Sequence, residues 1–136
     1  MAFLIIAALI VGVVLVIAKM RKGSAALESK PSRLKSFSTS LTPSEAFKVA
    51  IRWASASAYK IDDVDEARLK FVLSDSATAT SWGFFYPIFV SAGGERGAVV
   101  EVGIKSKALQ YGPLVSRAHE KCFSAIKTAL IVAHTD

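Results

Sequence analysis

The chain begins with an unbroken run of apolar side chains. Residues 2–18, AFLIIAALIVGVVLVIA, contain no charged or polar side chain. As a helix this run is about 25 Å long, close to the hydrocarbon core of a bilayer at about 30 Å. No Lys or Arg precedes it, and VIAKMRKG lacks the cleavage site of a signal peptide. We therefore predict a transmembrane anchor over residues 1–20, with Ala8 and Gly12 as small residues for packing against a partner helix.

Positive charge is concentrated directly after this run. Lys19, Arg21 and Lys22 follow it within four residues, and residues 19–35 carry six cations against one anion. Residues 36–136 carry eleven cations and ten anions, so the net charge of +6 comes almost entirely from the first segment. Because positive charge marks the cytoplasmic side of a membrane, the pattern predicts a single-pass cell-membrane protein with its N-terminus outside. The same cations are expected to attract anionic lipid headgroups, and no basic face or motif indicates nucleic-acid binding.

A polar stretch separates the predicted anchor from a folded domain. Residues 21–33 are predicted to form a basic polar tether, and residues 34–136 a small α+β domain in the cytoplasm. A strong helix start lies early in this domain. Thr42 is the expected N-cap, Pro43 occupies the first helical position, and Glu45 completes a capping box.

The remaining patterns predict an antiparallel sheet. Short segments alternate between apolar and polar residues and are separated by turn-forming residues. The predicted strands are 34–41, 59–64, 67–74, 80–92 and 98–105. A last helix begins at Gly112 and Pro113, with Val115, Cys122 and Ile126 on its apolar face. The resulting order is β-α-β-β-β-β-α, with two helices packed on one face of the sheet.

The segment SWGFFYPIF is the most aromatic stretch of the chain. Strand alternation places Trp82, Phe84 and Tyr86 on one face and Phe85 on the other. Pro87 has no amide N–H, so we expect an edge strand or a bulge here. Two interpretations follow: a twisted strand packed on both faces, or an exposed surface that docks a protein or a membrane interface. In the second interpretation the four aromatic residues are the docking surface.

Candidate chemical groups are few. His119 lies beside the apolar face of the last helix, without a carboxylate or nucleophile at a spacing that suggests catalysis. Cys122 falls in the apolar register of that helix, which predicts a buried thiol. DDVDE, at residues 62–66, gathers four carboxylates but lacks the pattern of a calcium loop, so it predicts a solvated turn. No nucleotide-binding or zinc motif is found. We therefore expect no metal, no cofactor and no enzymatic activity.

The order of elements, together with the phrases FSTSLTPSEAF, SWG and VEVGIK, carries a resemblance to known domains. It resembles a reduced helix-grip arrangement, as in the START and polyketide-cyclase-like domains and, in shortened form, in TBP-like domains. It also resembles small uncharacterised domains of bacterial, especially actinobacterial, envelope proteins. Full helix-grip domains enclose a lipid-sized cavity, so the resemblance implies ligand binding as one function.

The sequence predicts two alternative functions. The main prediction is a non-catalytic accessory subunit of a larger membrane complex, such as a respiratory or other bioenergetic assembly. Its expected partners are the lipid bilayer and one or more integral membrane proteins. The alternative is a membrane-tethered domain that binds a lipid or a hydrophobic small molecule.

Overall fold

A computed structural model describes residues 5–9, 30–75, 83–94, 97–106 and 113–135, with side chains as far as Val132. The elements are β1 (Leu34–Thr39), α1 (Pro43–Ala56), β2 (Lys60–Asp65), β3 (Lys70–Ser74), β4 (Phe84–Ala92), β5 (Ala98–Gly103), β6 (Lys105–Ser106) and α2 (Pro113–Thr135). The order within the domain is the predicted one, with one short additional strand, β6. The α+β arrangement of the domain is therefore confirmed.

The prediction of an N-terminal transmembrane helix is wrong. Within the described parts of the chain, no helix is both long enough and apolar enough to cross a bilayer. Of the predicted anchor, residues 5–9 are described, and they are helical. Helix α2 has 23 residues but carries charged side chains along its length, including Arg117 and Lys121.

Helix α1 starts where its capping residues predict. The Oγ1 atom of Thr42 accepts a hydrogen bond from the backbone N–H of Glu45 at 3.2 Å, and Pro43 occupies the first turn. The helix ends at Ser57, whose N–H donates to the carbonyl oxygen of Ala54. Its buried side chains recur at helical spacing and are mostly small, so α1 lies close to the sheet. They are Ala46, Phe47, Ala50 and Ala54.

Strand β4 is central in the sheet, which corrects the expectation that Pro87 marks an edge. The strands pair antiparallel in the order β1-β5-β4-β3-β2, and β6 also pairs with β4. Ile88 pairs with Val102, and Phe85 pairs with Lys105, so one register continues along β4. That register puts Pro87 opposite Gly103. Because Pro87 has no N–H to donate, the ladder is interrupted there, and the single predicted strand 98–105 is divided into β5 and β6.

The turn between β2 and β3 lies further along the chain than predicted. The strand β2 continues to Asp65, so most of the acidic segment 62–66 is strand and not turn. The turn ends at Leu69, which adopts a φ of 53° and donates its N–H to the carbonyl oxygen of Glu66. A bulge lies between Ile61 and Asp63. Strand β2 forms an edge of the sheet. We infer that its charged side chains and this bulge protect the edge from pairing with a strand of another molecule.

Both helices pack on the same face of the sheet, as predicted. Edge-to-face aromatic pairs connect the layers: Phe37 of β1 meets Phe123 of α2 at 5.7 Å, and Phe47 of α1 meets Phe71 of β3 at 5.8 Å. The same core includes alternate residues of the strands. They are Leu73, Phe84, Tyr86, Ile88, Val90, Ala98, Val100 and Val102. Burial of this face is the main source of stability in such a two-layer domain.

The opposite face of the sheet also buries apolar side chains. Val72 and Phe85 form a second buried cluster there. The segment before β1 crosses this face. The Nζ atom of Lys30 lies 2.6 Å from a carboxylate oxygen of Glu101 and 5.5 Å from the ring centroid of Phe89.

Substitution of Gly103 tests this crossing. A Cβ at Gly103 would overlap Cγ of Pro31 and would lie 3.1 Å from Cγ of Pro87. We expect Gly103→Ala to lower the free energy of unfolding by about 1–3 kcal/mol in urea titrations. Gly94→Ala is the matched control, since its Cβ would meet nothing within 4 Å. If the two variants are equally stable, Pro31 is not held against the sheet.

Candidate functional site

Four side chains with polar atoms gather between the sheet and the helices. We name them the polar cluster: Tyr59, Asp75, Tyr86 and Cys122. Tyr59 lies between α1 and β2, Asp75 directly follows β3, Tyr86 belongs to β4, and Cys122 to α2. The pairing of Ser74 with Phe85 brings the end of β3 to the start of β4. The cluster is therefore assembled by the sheet register and by the position of α2.

Asp75 is fixed at both carboxylate oxygens. The hydroxyl of Tyr86 donates to Oδ2 at 2.6 Å, and the backbone N–H of Phe84 donates to Oδ1 at 2.6 Å. The N–H of Asp75 in turn donates to the carbonyl oxygen of Phe84. Tyr86 is 1% exposed. Burial raises its pKa well above the usual range, and the hydrogen bond to Asp75 raises it further. Tyr86 is therefore a neutral donor at any ordinary pH.

Tyr59 and Cys122 form the second pair of the cluster. The ring of Tyr59 meets the ring of Tyr86 edge to face at 5.4 Å, and Trp53 lies on its other side at 5.8 Å. Its hydroxyl and the Cys122 thiol act on each other's pKa, which places the two groups close together. Burial raises the pKa of Tyr59 well above its usual range and that of Cys122 to about 12. Neither group is ionised at neutral pH, so neither is an activated nucleophile.

His119 lies one turn before Cys122 on α2 and points into the core. Its side chain is 4% exposed, and Nε2 lies 2.7 Å from the carbonyl oxygen of Val102. A carbonyl only accepts, so Nε2 carries the proton and donates it. Burial lowers the pKa of His119, and the positive charges of Lys35 and Arg33 lower it further, while the hydrogen bond to Val102 opposes the shift. His119 is thus a packed, hydrogen-bonded side chain.

The alternation predicted for the aromatic segment is confirmed, and its described aromatic side chains are covered. Phe84 and Tyr86 face the helices, and Phe85 faces the other side. All three are at most 7% exposed, so they are core side chains in this structure. Ala8 is exposed within the helical residues 5–9. The other predicted packing, topology and docking residues lie outside the described residues: Gly12, Lys19, Arg21, Lys22 and Trp82.

Tyr59 and Asp75 are the cluster members that sequence reasoning missed. The sequence pattern predicts only the start of a strand at Tyr59, and Asp75 lies among small polar residues with no motif around it. Among the described residues, no group of three or more His, Cys, Asp and Glu side chains is placed to hold a metal ion. The cluster therefore offers hydrogen bonds, and we see no ligand set for a metal.

Comparisons with known proteins bear on the fold through similarity to solved structures. No protein-family model matches the chain, and no curated protein matches it. The crystal structure of Ara h 8.0201 is similar, with a TM-score of 0.56 and 12% identity over 76% of this chain and 100% of that chain. A DUF4468 family protein from Bacteroides ovatus gives a TM-score of 0.42 and 12% identity over 82% and 94%. The first likeness shows that the chain has a Bet v 1-like helix-grip fold.

Removal of the Tyr86 hydroxyl tests the first pair of the cluster. We expect Tyr86→Phe to lower the free energy of unfolding by about 1.5–3 kcal/mol, because the hydroxyl donates to a carboxylate. Tyr59→Phe is the matched control: its hydroxyl lies close to sulfur, a weak acceptor, so we expect a loss below about 1 kcal/mol. Urea unfolding of both variants gives the two values. A smaller loss in Tyr86→Phe than in Tyr59→Phe would contradict the assigned hydrogen bonds.

Thiol reactivity tests the burial of Cys122. With a pKa of about 12, the folded thiol holds almost no thiolate at pH 8. We expect the thiol reagent DTNB to label the folded protein at least about 100-fold more slowly than the urea-unfolded chain. The chain has one cysteine, so the signal belongs to this residue. Equal rates in both states would place the thiol at the surface.

Proposed function

We propose that the domain binds a lipid or another apolar small molecule between its sheet and α2, with the polar end of the ligand at the polar cluster. The observation that carries this proposal is the position of the cluster. It sets hydrogen-bonding groups beside an otherwise apolar interior, which is the environment that an amphipathic molecule needs. The helix-grip fold supports it, because the final helix lies over the sheet and the side chains that meet between them are apolar.

The apolar part of such a ligand would contact side chains of both layers. Helix α2 directs Val115, Ile126 and Leu130 inward, and each is at most 6% exposed. The sheet contributes Leu73 and Ile88 to the same buried core. Aliphatic surface buried here contributes about 25 cal/mol per Å².

The polar end of the ligand would reach the cluster from solvent. Tyr59 and Asp75 are half-buried, so they lie between the interior and the surface. The Tyr59 hydroxyl can rotate to donate to a ligand oxygen. The carboxylate of Asp75 is the acceptor of the cluster for a hydroxyl or an ammonium group of the ligand.

Several expectations from the sequence stay predictions. They are the role as an accessory subunit of a membrane complex, integral membrane protein partners, attraction to anionic lipid headgroups, the cytoplasmic location of the domain, and the lack of enzymatic activity. The closer resemblance to bacterial envelope domains is likewise a proposal. The burial of Phe84, Phe85 and Tyr86 gives the accessory-subunit role less support than ligand binding has.

Binding of a fluorescent fatty acid tests the proposal. We expect cis-parinaric acid to bind the full chain saturably at one site and to raise its melting temperature. A ligand at 100 times its dissociation constant stabilises a protein by about 2.7 kcal/mol. Native mass spectrometry of protein purified from its own cells should show a co-purified lipid of constant mass. No saturable binding, together with no lipid adduct, would overturn the proposal.

A pair of alanine substitutions locates the site. Ala118 and Ala129 are both half-buried on the inner side of α2, one turn before Cys122 and two turns after it. We expect Ala118→Leu to weaken parinaric acid binding at least about tenfold, because the added methylene groups fill space beside the cluster. Ala129→Leu is the matched comparison: it lies beside Ile126 and Leu130, which would contact only the apolar part of the ligand, so we expect a smaller loss of affinity. Near-ultraviolet circular dichroism checks that both variants fold, and an equal effect of both would contradict the position assigned to the ligand.

A further inference from the structure

His119 connects α2 to the middle of the sheet. Its hydrogen bond joins the helix to Val102 of β5, a residue that pairs with Lys35 on one side and Ile88 on the other. The remaining contacts of the helix with the sheet are mostly apolar and non-directional. An exposed ion pair between Lys35 and Glu120 also joins the helix to the sheet, but the buried hydrogen bond of His119 is the contact that orients α2 at the depth of Cys122, one turn further along the helix.

The surroundings of His119 disfavour a second proton. The ring is 4% exposed and neutral, with its proton on Nε2. Lys35 of β1 and Arg33 just before that strand both act on the ring with positive charge. Among the described residues, Glu120 on α2 itself is the negative group that acts on the ring, and its oxygens already accept from Lys35 and Ser124. A charge added at Nδ1 would therefore be buried beside two cations without a carboxylate of its own.

We propose that protonation of His119 in mildly acidic solution loosens α2 from β5 and releases the ligand held between them. The release of ligand rests on the proposed function, whereas the loosening of the helix stands on the geometry of His119 alone. The ligand site would then be open to solvent in acid and closed at neutral pH.

The direction of the pH effect follows from linkage. Burial keeps the pKa of His119 in the folded protein below its value of about 6.5 in the unfolded chain. The stability that the neutral ring contributes is therefore complete above about pH 6.5. It is lost as the pH falls below that value, because the unfolded or loosened form takes up the proton more readily.

The experiment compares two glutamine variants. His119→Gln keeps an N–H donor for Val102 but cannot be protonated, and His134→Gln removes the other histidine of the chain. Nile red is the probe, because it is uncharged between pH 5 and pH 7. For the wild type and His134→Gln we expect its affinity to fall about tenfold from pH 7 to pH 5, as uptake of one proton allows. In His119→Gln the affinity should change less than about twofold.

A second measurement separates this proposal from the proposed function. Hydrogen–deuterium exchange of the α2 amides, corrected for the intrinsic effect of pH, should rise in acid for the wild type and not for His119→Gln. If Nile red does not bind at pH 7 but exchange behaves as expected, the loosening of α2 stands and its role in ligand release is overturned. If both proteins show the same pH dependence of exchange, the whole proposal is overturned.

Discussion

A proline in the middle of the central strand is the constraint around which the sheet is arranged. Pro87 lacks the N–H that a strand with two neighbours would use, and the register places it opposite Gly103. The neighbouring strand is interrupted at that point, and the ring of Pro31 packs against the glycine. The missing N–H of Pro87 thus explains the division of β5 from β6. Gly103 has no side chain, so it leaves room for the segment around Pro31 that crosses this face of the sheet.

The strand that carries this proline also supplies both layers of the domain. Its even-numbered residues, among them Tyr86, face the helices, and its odd-numbered residues, among them Phe85, face the other side. Just before the interruption, Asp75 accepts hydrogen bonds from the backbone of Phe84 and from the hydroxyl of Tyr86. Polar groups are thus satisfied within the protein where the pairing of β4 with β3 ends. The polar cluster is in this sense a product of how the central strand is built.

Local patterns in the sequence predicted local structure well. The start of α1 at Thr42 follows from neighbouring residues alone, and strand alternation assigned the faces of β4 correctly. The apolar run of residues 2–18 was misleading, because its hydropathy and length approach those of a membrane span although no such helix is found among the described residues. The contacts of Asp75 and His119 could not be predicted, since their partners are 11 and 17 residues away. They depend on strand register and on where α2 crosses the sheet, and neither quantity is set by any short stretch of sequence.

The pairing of β1 with β5 has a consequence for the order in which the protein folds. Strands β2 to β5 form a meander of neighbours, whereas the partners in β1 and β5 are 59 to 69 residues apart along the chain. Closing so long a loop costs entropy before any contact compensates for it, so we expect β1 to join the sheet late. During synthesis β1 is the first strand to leave the ribosome. Until β5 has also emerged, β1 is unpaired and the apolar ring of Phe37 is exposed to solvent. Nascent chains of this protein are therefore most exposed to aggregation at β1 in the interval before β5 has emerged.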